Sequence, residues 1–206
     1  MVLKKQMNPR KTFKSTEERV GISSGNREKI LVTALRLFTT QGVDGTPTAQ
    51  ISKEAMVSTG TLFHYFPDKN YLVDQLYLSI KKELAEVIRS NDDSKRPTKQ
   101  RLEQCLRGYI AWGVADPEKA RFLDQVYNYP GVREEVKQQA YDDFTWMMEL
   151  SNSAVREGII QDLPPGFYAV MLSRILNGIL TLIESGSSAM SQEEIIENGL
   201  AMLWKL

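Results

Sequence analysis

Apolar side chains recur at Ile30, Leu31, Ala34, Leu35, Leu37 and Phe38 in a three-and-four rhythm, the signature of one face of a helix. Asn26 stands where a residue would cap its start and Gly42 where one would end it. Thr46-Pro47 reads as the opening of a second helix, the threonine accepting an orphan backbone N–H and the proline filling a first-turn position that needs no donor. That helix is short, because Met56, Val57 and Ser58 interrupt the pattern, and Ser58 then caps a third short helix through Tyr65. Asp68 caps a long fourth helix, in which Leu72, Leu76, Ile80, Leu84, Val87 and Ile88 keep register.

Beyond it, breaks at 91–97, 116–117, 128–131, 158–165 and 185–191 divide the chain into five further helical segments, about nine helices in all. No segment shows the Val/Ile/Thr alternation of a strand, and no internal repeat is visible. The expected fold class is all-α, a small N-terminal helix-turn-helix domain followed by a larger helical domain. Residues 1–25 are polar and basic without apolar period and read as a mobile arm, residues 26–72 as the helix-turn-helix domain, and residues 73–206 as the body.

Charge sharpens this division. The 206 residues carry no net charge, yet residues 1–72 hold 11 Lys/Arg against 6 Asp/Glu, whereas residues 73–206 hold 15 against 20. A basic front joined to an acidic body suits a module that meets a polyanion. Charged residues at 25% and hydrophobic ones at 42% are ordinary for a soluble globular chain. No run approaches the roughly 18 consecutive apolar residues of a membrane span, and no apolar signal core follows the N-terminal lysines, so a cytoplasmic protein with no membrane partner is expected. Cys105 is the only cysteine, which excludes an intrachain disulfide and a cysteine-based metal cluster.

Candidate chemistry concentrates between Thr46 and Phe66. Ile51 and Ala55 on the second helix and Leu62 on the third face inward across the Met56-Val57-Ser58 turn, the geometry of a helix-turn-helix. In that motif the second of the two helices enters the major groove while the first lies across the backbone. Here it presents Ser58, Thr59, Gly60, Thr61, His64 and Tyr65. Hydroxyls suit phosphate oxygens, threonine methyls suit thymine, and Gly60 lets the backbone come close to DNA. There is no bidentate arginine reader, so readout would lean on Gln50, Thr59, bridging water and DNA shape.

The stretch from Arg27 to Leu72 resembles the DNA-binding domain of the TetR family of regulators. The resemblance rests on Ile30, Ala34, Phe38 and Gly42, then Thr46, Ile51, Ala55, Val57 and Ser58, then Gly60-Thr61-Leu62-Phe63-His64-Tyr65-Phe66, and Lys69 and Leu72. It implies that Thr48 and Thr61 contact phosphates, that Ala49, Gln50, Thr59 and Gly60 lie nearest the bases, and that His64, Tyr65 and Lys69 grip the backbone. Phe63 departs from the pattern, because the family often has tyrosine there; its ring cannot donate to a phosphate and is left to pack.

The same resemblance implies an effector cavity in the body. Tyr109, Trp112, Phe144, Met148 and Asn177 are the candidate lining, Tyr109 and Trp112 sharing one helical face and Phe144 and Met148 another. Cys105 reads as an inert buried thiol, with a redox sensor as the alternative. The last two helices are rich in apolar residues, and Met171, Ile175, Gly178, Ile179, Leu182, Ile196, Leu200 and Leu203 are the candidate dimer interface.

These expectations combine into a homodimeric, ligand-responsive repressor. It would read a palindromic double-stranded operator and release it on binding a small apolar or aromatic effector, with the fourth helix as the lever. No cofactor and no metal is expected. An enzyme is not, since there is no Gly-rich phosphate loop, no partner for Cys105, and the sole histidine lies in the DNA motif. A ligand-binding or interaction module with a degenerate DNA-binding head stays open, because of Phe63 and the missing arginine reader.

Overall fold

Ten helices follow one another through residues 25–127 and 129–204, the residues described by the computed structural model: α1 (Asn26–Gln41), α2 (Thr48–Glu54), α3 (Thr59–Tyr65), α4 (Lys69–Ser90), α5 (Thr98–Ala115), α6 (Pro117–Val126), α7 (Glu134–Asp142), α8 (Thr145–Arg156), α9 (Pro165–Ser185) and α10 (Gln192–Leu203). Among these residues there is no strand. The basic arm expected over residues 1–25 lies, except for Gly25, outside the described residues.

One more helix forms than the pattern of apolar positions predicts. The segment between 131 and 158 breaks where Phe144 leaves helical geometry at φ −107° and ψ 7°, separating α7 from α8. The turn is closed by Thr145 Oγ1, which donates to the Asp142 carbonyl at 2.9 Å, and it carries the Phe144 ring to 4.2 Å from the Lys81 ammonium on α4. Here a tertiary contact overrides helical periodicity.

The cap signals divide in the same way. Ser58 Oγ accepts from the Thr61 N–H at 3.0 Å and Asp68 Oδ1 from the Tyr71 N–H at 2.7 Å, as the sequence leads one to expect. Gly42 ends α1 at φ 76°. Asn26 is not a cap, since α1 starts on the Gly25 backbone without side-chain help. Nor is Thr46, which is fully buried; its hydroxyl donates back to the Gly42 carbonyl at 2.7 Å and so pins the loop rather than the start of α2. Between α2 and α3 the left-handed turn falls on Met56, φ 56°, a side chain left 85% exposed.

One core runs through head and body. Ile30, Leu37, Phe38, Ile51, Leu62, Phe66 and Leu72 close the head, and α4 continues inward with Leu76, Ile80, Leu84 and Ile88. At 22 residues, α4 reaches about 33 Å and so belongs to both halves. α6 lies against α1, the Phe122 and Phe38 rings stacking with centroids 6.2 Å apart. A second cluster joins α5, α9 and α10 through Leu106, Ile110, Leu176, Ile179, Ile195, Ile196, Leu200 and Leu203. Gly199 permits the close approach there, since a Cβ would stand 2.5 Å from Ile179 Cδ1 and force that side chain to move. By length and composition, residues Gly166–Ser185 of α9 could cross a membrane, and only 11% of that stretch is buried within the chain.

Candidate functional site

Burying Ile51, Ala55, Leu62 and Phe66 decides which edge of α2 and α3 remains outside. Ala49, Thr59, Gly60, His64 and Tyr65 are exposed, and Thr48, Gln50, Thr61 and Lys69 are half-buried beside them. Eight of the nine residues picked out as DNA-facing therefore share the outer side of one small two-helix unit, and Lys69 follows at the start of α4. Phe63 is 43% exposed, so packing does not account for its ring.

Short polar contacts fix this edge. Ser58 Oγ lies 2.9 Å from Thr61 Oγ1, and Thr59 Oγ1 lies 3.3 Å from the buried Ser52 hydroxyl. Gln50 Nε2 donates to Glu54 Oε1 at 2.9 Å, and Arg36 on α1 pairs with the other oxygen of the same carboxylate. Hydrogen bonds from Arg36 first and then Gln50 hold the Glu54 carboxyl below its ordinary range. The sequence did not point to this Arg36–Glu54–Gln50 chain, which sets where the Gln50 amide sits. The His64 and Tyr65 rings meet edge-on with centroids 5.3 Å apart.

Two positions are informative for opposite reasons. A Cβ added at Gly60 would meet nothing nearer than Ser58 Oγ at 3.7 Å, an ordinary contact, so the fold itself does not demand glycine in this helix. Lys69, by contrast, is occupied. Its ammonium donates to the Val43 carbonyl at 2.9 Å and to those of Asp44 and Thr46 at 3.4 Å, tying α4 to the loop between α1 and α2. All three donors are engaged inside the chain, so gripping a phosphate would mean giving up some of these bonds.

The body holds a cavity of about 250 Å³. Helical spacing builds its wall: Tyr77, Lys81, Leu84 and Ile88 on α4, Leu102, Cys105, Leu106 and Tyr109 on α5, Leu123 and Asp124 on α6, Phe144, Met147 and Ser151 at α8, and Tyr168, Leu172, Leu176 and Asn177 on α9. Tyr127, Tyr141, Ala169, Ser173 and Trp204 also line it. Tyr109, Phe144 and Asn177 are thus in the wall, the tyrosine hydroxyl donating to Asn177 Oδ1 at 3.1 Å.

Trp112 and Met148, expected beside them, stand outside. Trp112 is buried with its indole N–H donating to Glu83 Oε1 at 3.0 Å, and Met148 is 54% exposed. The break before Thr145 is the reason for the second: α8 starts afresh there and turns Met147 and Ser151 inward instead. Sequence reasoning also missed Lys81, although a lone lysine in register with Tyr77, Leu84 and Ile88 was a visible irregularity on an otherwise apolar face.

Desolvation dominates the cavity's titration. Burial lowers the Lys81 ammonium to about 8, a shift that Asp143 partly opposes. It pushes Tyr77, Tyr109 and the Cys105 thiol up to about 12. Cys105 is therefore a protonated, inert thiol near neutral pH, which disfavours the redox reading.

The apolar residues expected at a dimer interface fall into two groups. Ile179, Ile196, Leu200 and Leu203 are buried within the chain itself, in the cluster beside α5. They fill the core because α10 packs across α9 through Gly199. Gly178 and Leu182 are exposed and Met171 and Ile175 half-buried on the outer side of α9, where Phe167 and Val170 are exposed too. Gly178 faces open space, so of the two glycines only Gly199 lets backbones approach within the chain.

Comparison with known proteins agrees with this architecture. The family model of bacterial regulatory proteins, tetR family, matches residues 30–76. The chain is 23% identical over 193 residues to the HTH-type transcriptional repressor AcnR of Corynebacterium glutamicum, covering 84% of this chain and 90% of that one. Among solved structures, a TetR family transcription regulator of Marinobacter aquaeolei VT8 superposes with a TM-score of 0.77 at 18% identity over 87% of this chain and 94% of that one, a likeness of fold. A tetR family transcription regulator of Shewanella sp. PV-4 superposes with a TM-score of 0.76 at 31% identity, over 88% of this chain and 97% of that one. With helix-turn-helix head, helical body and a full-length relative at that identity, the chain belongs to the TetR family of DNA-binding transcriptional regulators.

Proposed function

We propose that this regulator is a cytoplasmic homodimeric repressor that reads a palindromic operator and releases it when a small molecule fills the cavity of the body. The observation that carries the proposal is the position of α6. Leu123 and Asp124 face the cavity from one side of this helix, while from the other Phe122 stacks on Phe38 of α1 and Gln125 Nε2 donates to the Thr39 carbonyl at 3.2 Å. Just beyond it, the Tyr129 hydroxyl donates to Asp44 Oδ1 at 3.2 Å in the head. A change in what fills the cavity is then felt at the seat of the motif. α4 offers a second route, with Tyr77, Lys81, Leu84 and Ile88 on the cavity and Leu72 in the head core.

On DNA, Ala49, Gln50, Thr59 and Gly60 lie at the base edges, Thr48 and Thr61 at phosphates, and His64 and Tyr65 along the backbone. Lys69 acts chiefly by clamping the loop that orients α2. The outer apolar side of α9, with Met171, Ile175, Gly178 and Leu182, meets the same face of a second copy, and the buried Ile179, Ile196, Leu200 and Leu203 support it from behind. That pairing also explains why a helix as apolar as α9 is so little buried within one chain. Two recognition helices related by a two-fold axis require a site with matching symmetry.

Effector binding shifts the dimer between states by the difference in its affinity for them, on the order of 1–3 kcal/mol. Selection of bound sequences from random double-stranded DNA tests the reading directly. A two-fold symmetric consensus is expected, with release when the cavity is filled. Failure to enrich any site would leave a ligand-binding module whose head does not read DNA.

A further inference from the structure

Lys81 is the irregular residue of the cavity. Its ammonium lies 4.2 Å from the centre of the Phe144 ring in a wall shared with Tyr77 and Leu84 of its own helix, and among the described residues it makes no hydrogen bond or ion pair. Asp143, the acid whose charge acts on it, is exposed at the start of the turn before α8. The cavity's own acid, Asp124, is already engaged, accepting from Asn177 Nδ2 at 2.7 Å and from Arg174 at 3.2 Å. The wall thus offers one unpaired positive charge amid aromatic and aliphatic surface. Holding an ammonium there costs stability, because desolvation disfavours the charged form, and a methionine would fill the same space without that cost.

Building on the effector reading above, we propose that the effector is a monocarboxylate on an apolar chain or ring, and that Lys81 Nζ is its counter-ion. An anion seated there takes a charge-assisted hydrogen bond from the ammonium while its apolar body lies against Phe144, Met147 and Leu172. A single carboxylate fits better than a phosphate, since one lysine supplies the charge, no arginine lines the cavity, and Asp124 stands across it. The Tyr77 hydroxyl stays protonated and can donate to a carboxylate oxygen, whereas that of Tyr109 already donates to Asn177 Oδ1.

Calorimetry on the full-length protein, with two matched pairs of probes, tests this: decanoate against decan-1-ol, and 4-phenylbutyrate against 4-phenylbutan-1-ol. At least one carboxylate is expected to bind the wild type at least about tenfold more tightly than its alcohol. Lys81→Met should abolish that preference, and Lys81→Arg should keep it. Thermal unfolding of Lys81→Met should show a midpoint equal to or above the wild type's, which separates lost binding from lost folding. Equal affinity of acid and alcohol, or a preference that survives Lys81→Met, would overturn the proposal while leaving an effector cavity for neutral ligands. Binding of none of the four would overturn it as well, and the DNA selection above then decides independently whether the head is a reader.

Discussion

The head and the body of this molecule are packed to different standards. In the head, Ile30, Phe38, Ile51, Leu62 and Phe66 have no exposed surface, and even the polar Thr46 and Ser52 are buried with hydrogen-bond partners. In the body, six helices surround a cavity lined by tyrosines and an unpaired ammonium. The head has to present a fixed edge to DNA, and close packing gives one arrangement of side chains. The body has to admit a molecule and respond to it, which a fully packed core would prevent.

The largest expected effect tests that contrast. Phe38→Ala removes a fully buried ring from the seam between α1 and α6 and should cost about 3–5 kcal/mol of stability. Phe144→Ala removes a ring that already borders empty space and lies against the Lys81 ammonium. Its cost should be less than half as large, since the range for such truncations follows how much new void is created. Denaturant unfolding of the two variants decides it, and equal losses would mean that the cavity wall is as rigid as the head.

Smaller, but aimed at the join, is Lys69→Ala. Three loop carbonyls would lose their donor, at a cost of about 1–3 kcal/mol, discounted toward the low end because part of the site is open to solvent. The thermal midpoint should fall, and the salt dependence of DNA binding should hardly change. A flattened salt slope with an unchanged midpoint would instead return Lys69 to the role of phosphate contact.

The same division governs what could be read from the sequence. Ile30, Ala34, Leu37, Phe38, Ile51, Ala55 and Leu62 are legible as core because the head is built from regular helices whose inward faces repeat at helical spacing, and the caps at Ser58 and Asp68 are local to their own turns. Thr46 was misread because its partner, the Gly42 carbonyl, belongs to the preceding loop rather than to the helix it precedes. In the body, Tyr109, Phe144 and Asn177 are legible as a cluster of aromatic and polar groups, yet the expected Met148 gives way to Met147 in the wall. A single turn at Phe144, set by contact with Lys81 on a helix some sixty residues earlier, rotates every residue that follows it. The split of the α9 and α10 residues into inner and outer faces was hidden for a similar reason, since both faces of α9 are apolar and only the position of α10 distinguishes them.

The smallest expected change in stability carries a sharp functional consequence. Glycine within a helix is less favourable than alanine by about 0.5–1 kcal/mol, and the space around Gly60 accepts a methyl group without a close contact. Gly60→Ala should therefore raise the stability of the head by up to about that amount. If DNA lies against this exposed turn of α3, the same methyl intrudes where backbone and base edge approach each other, so affinity for the selected operator should fall while the fold becomes more stable. Thermal unfolding and operator titration of one variant thus move in opposite directions. A stabilised variant that binds the operator as tightly as wild type would move the DNA contact away from Gly60, and the reading edge would have to lie toward Gln50 and the start of α2.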